Sequence, residues 1–142
     1  MIRISTRGRY ALRAMVDLAL HSDEGPVARQ DLAARQKISA DYVAQLFRRL
    51  QDAGLVEGVK GPGGGYRLTR DAGDIRAGDV VEAVEGPLAL VHCVEPTGEP
   101  ACIRVDHCVT HLVWKRLSAL MSDFLDSITL QALCDEALTL HK

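Results

Sequence analysis

Apolar residues recur through the first fifty positions at intervals of three and four, the period of helices that bury one face. Ala11, Met15, Leu18 and Ala19 follow Ser5 and Thr6 at that spacing and give way at Gly25 and Pro26, predicting a first helix of roughly fifteen residues. A shorter helix is predicted over Ala28 to Gln36, with Leu32 and Ala33 inward, before a break at Lys37, Ile38 and Ser39. Ser39 is placed to cap a third helix by accepting from the unpaired N–H groups of its first turn. There Val43, Leu46, Phe47 and Leu50 occupy i, i+3, i+4 and i+7 and face the core. At about 100° per residue Asp41, Gln45, Arg48 and Asp52 point the other way, with Tyr42, Ala44 and Arg49 on the flanks. Two short helices joined by a tight turn make a helix-turn-helix pattern.

The period then changes. Gly54 closes the third helix, and Leu55 to Val59 can pair with Tyr66 to Leu68 across Lys60, Gly61, Pro62, Gly63, Gly64 and Gly65. A hairpin directly after a helix-turn-helix is a wing; its glycines leave backbone N–H groups open to close approach, and a thin tip can enter a minor groove. A nucleotide-binding phosphate loop is the other reading of such a run, but no Gly-Lys-Ser/Thr ending and no helix follow it. A fourth helix is predicted from Ala77 to Glu85, with Val80, Val81 and Val84 packing and Gly86 and Pro87 stopping it. From about Leu90 to Asp106 the pattern lapses around Pro96, Gly98 and Pro100, as in a loop organised by what its side chains bind.

A long helix from about Thr110 to Ser127 follows, striped by Val113, Leu117, Leu120, Met121, Phe124 and Ile128 and widened by Leu112, Trp114 and Leu125. That stripe is broader than one small domain can cover, so the same helix of a second subunit, antiparallel about a twofold, is the expected cover. In such a homodimer two recognition helices meet major grooves about 34 Å apart, and the operator is roughly palindromic. A last helix, from Leu130 to about Leu140, aligns Leu130, Leu133, Cys134 and Ala137. The expected fold is mainly α: a winged helix-turn-helix domain over residues 1–86, a ligand loop over 87–109, and a dimerisation helix with a C-terminal helix over 110–142.

Charge sharpens this division. Residues 1–70 hold 12 Lys and Arg against 7 Asp and Glu, a net of +5, while residues 71–142 hold 5 against 12, a net of −7. A basic front half suits a polyanion, with double-stranded DNA the partner that a recognition helix and wing imply. Gln45 can pair with adenine, Arg48 and Arg49 with guanine or phosphate, and Tyr42 with a phosphate oxygen, beside Ser39 and Asp41. Lys60 and Arg67 supply charge to the wing. The opening residues lack a charged start with an apolar signal core, and no run approaches a membrane span, so a cytoplasmic protein is expected.

In a reducing compartment clustered cysteines are ligands or redox groups rather than disulfides. Cys93, Cys102 and Cys108 lie within sixteen residues and His111 follows by three, a soft donor set open to zinc or an iron-sulfur cluster. Cys134, on the inward side of the last helix, is read as a small buried apolar residue. No nucleophile, base and orienting acid assemble from local motifs, and His21, His92, His107 and His141 read as surface or loop residues, so an enzyme is not expected.

The opening Ile4 to Met15, the helix Ser39 to Leu50, the wing Lys60 to Tyr66 and the run Cys108 to Trp114 resemble the IscR-like iron-sulfur regulators. These are dimeric winged-helix repressors, a family that also includes NsrR. The likeness spans nearly the whole chain. It implies a transcription regulator sensing iron-sulfur supply or stress, with a 2Fe-2S cluster on Cys93, Cys102, Cys108 and His111. NsrR-like nitric oxide sensors hold a 4Fe-4S cluster with three cysteines and an acid from the partner's first helix, whereas Arg7, Gly8 and Arg9 offer none. Zinc remains the other metal for this donor set. Two departures stand out. Eight residues separate Cys93 from Cys102 where IscR-like sequences usually have about five, a small entropic difference because closure cost grows with the logarithm of length. Ala44 stands where IscR has a carboxylate on the recognition helix, which weakens any link from cluster occupancy to operator choice.

Overall fold

The computed structural model describes residues 4–91, 94 and 107–140. Most of the ligand loop, including Cys93 and Cys102, therefore lies outside the described residues. In chain order come α1 (Thr6–Leu20), α2 (Arg29–Gln36), α3 (Ala40–Asp52), β1 (Val56–Val59), β2 (Gly65–Leu68), α4 (Ala77–Glu85), α5 (Val109–Asp126) and α6 (Leu130–Leu140). The expected mainly helical winged helix-turn-helix with a long C-terminal helix is present. The expected boundaries hold to within a residue or so, and two short 3-10 turns, Ser22–Glu24 and Ala72–Asp74, are additional.

Helices α1 and α3 start where a serine side chain can accept from a first-turn amide. Ser5 accepts from Gly8 N at 3.4 Å and Ser39 accepts from Tyr42 N at 3.0 Å. The α1 first turn holds no acidic residue, and Glu85 from the end of α4 supplies one, accepting from Ser5 N at 2.9 Å and from the Ser5 hydroxyl. Helix α2 ends at Lys37 in the left-handed conformation, with φ 56°, and α3 runs on to Gly54 at φ 76°.

The core forms where α1, α3 and α4 converge. Met15, Leu18, Val43, Phe47, Leu50, Val80 and Val84 are fully buried, as the helical spacing of α3 and α4 predicts. The Phe47 ring lies 4.4 Å from that of Tyr66, fastening the recognition helix to β2. Asp17, 5% exposed, is an exception in this apolar setting. It accepts from Arg35 Nη2 at 2.7 Å, Arg35 Nε at 3.0 Å and Gln36 Nε2 at 2.8 Å, so a charged bond network holds α2 to α1. The same bond raises the Arg35 pKa, outweighing the opposing effect of desolvation.

The wing is stitched to the domain by backbone. β1 and β2 pair antiparallel, Val56 opposite Leu68 and Val59 opposite Gly65. Tyr66 also makes an isolated bridge to Val27, just before α2, with bonds of 2.9 and 2.8 Å. A Cβ on Gly65, whose φ is 150°, would lie 2.1 Å from the Val27 carbonyl oxygen, so only glycine fits. Helix α5 packs its C-terminal half on α4, close enough that a Cβ on Gly78 would meet Asp126 Oδ1 at 2.0 Å. After α5 the chain returns: Ala77 N donates to Ile128 O at 2.8 Å and Leu130 N to Ile75 O at 2.9 Å.

Gly65→Ala should lower the unfolding free energy in urea by about 2 to 4 kcal/mol, through overlap and backbone strain together. Gly63→Ala, at a positive φ but with open space around it, should cost only about 1 to 2 kcal/mol. Equal losses in the two variants would refute the stitch.

Candidate nucleic-acid interface and ligand site

The predicted DNA face is one surface of α3 and the wing. Asp41, Gln45, Arg48 and Arg49 are exposed and Tyr42 is half-buried, while their core-facing neighbours are enclosed. Tyr42, Gln45, Arg48, Arg49 and Asp52 border a groove of about 440 Å³, joined by Arg7 from the start of α1. The periodicity of α3 could not reveal Arg7, because it comes from another helix.

Two of these side chains are held from behind. The Tyr42 ring meets that of Tyr10 edge-on at 6.0 Å, and the Arg13 guanidinium lies 5.0 Å over Tyr10. Arg13 also donates to Gln36 Oε1 at 3.2 Å, so this stack joins the Asp17 network. Arg49 reaches back from α3 to the Val84 carbonyl at 3.5 Å, close to the negative end of α4.

The wing residues divide by side. Lys60, Gly61 and Gly64 border a hollow facing α2 and α3, with Pro62 and Gly63 at the tip. Arg67 faces away from that hollow, pairs with Glu57 directly across the hairpin and borders a separate groove near α6. Its charge is thus partly met within the protein, which reading Arg67 in isolation does not anticipate.

Of the four expected ligands, Cys108 and His111 are described. Cys108 occupies the position just before the first turn of α5 and His111 lies three residues on, so the two share one side of that turn, where the helix dipole favours negative charge. The Cys108 sulfur is 3.1 Å from Thr110 Oγ1. Cys93 and Cys102 lie outside the described residues, and among the described residues no group of three metal-binding side chains comes together. Leu90 N donates to Ser118 Oγ at 3.2 Å, which fastens the chain leaving α4 to the middle of α5. Cys108 stands ten residues before Ser118, about 15 Å along the helix at 1.5 Å per residue, so the ligand pair sits at the far end of α5 from that contact.

Cys134 is 5% exposed on α6 with its sulfur against Val16 O at 3.9 Å, away from Cys108. Burial, reinforced by neighbouring Asp135, pushes its thiol pKa up from the ordinary value. The folded protein therefore keeps this proton where the unfolded chain loses it, and the associated stability falls as pH rises past the ordinary thiol range. Iodoacetamide should modify Cys134 only after denaturation, read by peptide mass spectrometry. Rapid labelling of the native protein would contradict this burial.

Residues 4–136 match the family model Rrf2, described as an iron-dependent transcriptional regulator. The chain is 47% identical over 132 residues to the HTH-type transcriptional regulator IscR of Xenorhabdus nematophila, covering 93% of this chain and 79% of that one. Among solved structures, T. potens IscR matches with a TM-score of 0.76 at 38% identity, over 96% of this chain and 88% of that one. CymR, the global cysteine regulator of B. subtilis, matches with a TM-score of 0.77 at 36% identity, over 96% and 98%. No helix among the described residues is long and apolar enough to cross a membrane. With a recognition helix, a wing and relatives named as transcriptional regulators, the chain belongs to the Rrf2 family of transcriptional regulators.

Proposed function

We propose that this regulator carries a 2Fe-2S cluster on Cys93, Cys102, Cys108 and His111, and that cluster occupancy sets how its DNA-binding face is presented. The observation that carries the reading is the placement of Cys108 and His111 in one turn at the start of α5, in a chain 47% identical to a protein named IscR. A thiol and an imidazole in adjacent positions fit the soft donor set that such a cluster takes. When bound, the cluster supplies a redox-active centre that oxidants or iron shortage can remove.

The chain's own residues provide the connection. The ligand loop leaves α4 at Gly86, with φ 81°. Immediately before it, Val84 accepts from Arg49 of the recognition helix and Glu85 clasps Ser5 of α1. Ligand binding in the loop therefore biases the end of α4, and through Arg49 and Ser5 it biases α3 and the start of α1. A coupling of this kind is typically ~1 to 3 kcal/mol, or ~5 to 150-fold in affinity. Ala44 adds no charge to the recognition helix, so the coupling here is geometric rather than electrostatic.

The DNA contacts are assigned to Ser39, Asp41, Tyr42, Gln45, Arg48 and Arg49 in the major groove, and to Lys60, Gly61, Pro62, Gly63 and Gly64 in the minor groove. Arg67 plays a lesser part because Glu57 shares its charge. A homodimer presents two such faces to a roughly palindromic operator. Leu120 and Phe124 are 66% and 64% exposed on α5, Val113 is also exposed, and Leu117, Met121 and Ile128 are half-buried. An apolar strip of this size on a solvated helix calls for a partner, and an antiparallel copy of α5 supplies one.

Anaerobically purified protein should absorb in the visible range and contain about two irons and two sulfides per subunit, as a 2Fe-2S centre requires. Cys108→Ala should abolish the colour, and a colourless wild type with one zinc per subunit would overturn the cluster assignment. Leu120→Glu with Phe124→Glu should convert a dimer to a monomer in sedimentation equilibrium. A variant that remained dimeric would overturn the α5 interface.

A further inference from the structure

The hollow between the wing and α2 gathers basic residues without a carboxylate in its lining. It encloses about 430 Å³ and is lined by Arg29 from α2, Gln51 from α3 and Lys60 from the wing, together with wing backbone and Tyr66, and no carboxylate lines it. Several other cations lie beside carboxylates. Arg35 is held by Asp17, Arg67 by Glu57, and the groove containing Arg7, Arg48 and Arg49 also contains Asp52. Arg29 and Lys60 form no ion pair among the described residues. Two uncompensated cations and a primary amide around one hollow attract an anion of phosphate size.

The geometry of that hollow is fixed by backbone rather than by side-chain packing. Arg29 lies two residues beyond Val27, which is bonded to Tyr66 in both directions at 2.9 and 2.8 Å. Gly65 presses against the same carbonyl so closely that no side chain fits. Gln51 lies over Gly58, where a Cβ would come within 2.9 Å of its amide nitrogen. Moving the wing therefore moves Arg29 with it, and the hollow opens on the side of the wing opposite the Glu57 and Arg67 pair.

We propose that Arg29, with Gln51 and Lys60, forms a seat for a DNA backbone phosphate beside the groove that the wing enters. The proposal rests on the DNA-binding reading and deepens it. The seat carries no sequence information and instead fixes the depth and register of the wing. Arg29 provides the charge and the planar fork, Lys60 a second charge, and Gln51 a neutral donor. Neither Arg29 nor Gln51 can be found from the face of α3, because one belongs to the preceding helix and the other to the edge turned toward the hairpin.

The test is a salt titration of the full-length chain, by fluorescence anisotropy, on a duplex from the region upstream of its own gene and on an unrelated duplex of equal length. Arg29→Ala should reduce the slope of log affinity against log salt by ~0.9 for each subunit bound and weaken both duplexes by similar factors. Arg29→Lys, which keeps the charge, should retain the wild-type slope. Thermal melting confirms that both variants fold. A wild type with a steep salt slope and an Arg29→Ala variant with the same slope and affinity would overturn the seat, as would a loss confined to one duplex. A flat slope in the wild type itself would remove the DNA-binding reading and the seat together, a result distinguishable from the other two.

Discussion

The end of α4 meets the two parts that matter most for DNA binding, through a terminal backbone carbonyl in one case and a side-chain carboxylate in the other. Arg49 of the recognition helix donates to the Val84 carbonyl, and Glu85 accepts from the Ser5 amide and hydroxyl at the start of α1. Gly8 lies in the same contact, with the Glu85 carboxyl 3.0 Å from where its Cβ would be. The chain then turns at Gly86 toward the ligand loop. Helices α5 and α6 also pack on the domain, through Ala77 with Ile128, Leu130 with Ile75 and Cys134 with Val16, but at this junction the chain entering the ligand loop touches both the recognition helix and the start of α1.

The rest of the domain is built so that such a signal moves a rigid body. Phe47 against Tyr66, the Val27 to Tyr66 bonds and the Asp17 network lock α1, α2, α3 and the wing into one unit. The tertiary contacts also sort the basic residues, leaving some cations shared with carboxylates and others open to solvent and to DNA. Net charge by half of the chain identifies a basic domain, whereas pairing decides which of its cations are available. The fold itself does not specify a signal, since a close structural match to a regulator named for cysteine control coexists with one to IscR. The cluster assignment accordingly depends on Cys108, His111 and the sequence relatives.

Much of the fold is legible in the sequence because helical periodicity is a local signal. Val43, Leu46, Phe47 and Leu50 define α3, Ser39 its start and Gly54 its end, and Ala77 to Glu85 is recovered to the residue. Contacts between residues distant in sequence are not legible in that way. Ser5 and Glu85 are 80 residues apart, Asp17 and Arg35 are 18 apart, and each pair depends on how whole helices dock. The Glu57 and Arg67 pairing depends on strand register, which two four-residue strands joined by a glycine-rich turn specify only through their contacts with Val27 and Phe47. Cys93 and Cys102 are expected as ligands from residue type and resemblance, and they lie outside the described residues.

The central claim is that the ligand loop and the DNA-binding face are thermodynamically coupled. The most direct measurement is operator affinity of one preparation, determined anaerobically with its cluster and again after the cluster has been removed, on a panel of duplexes from upstream DNA. On at least one duplex the two forms should differ by ~5 to 150-fold, and Arg49→Ala, which cuts the link to α4, should narrow the gap. Equal affinities of the two forms on every duplex would contradict the coupling.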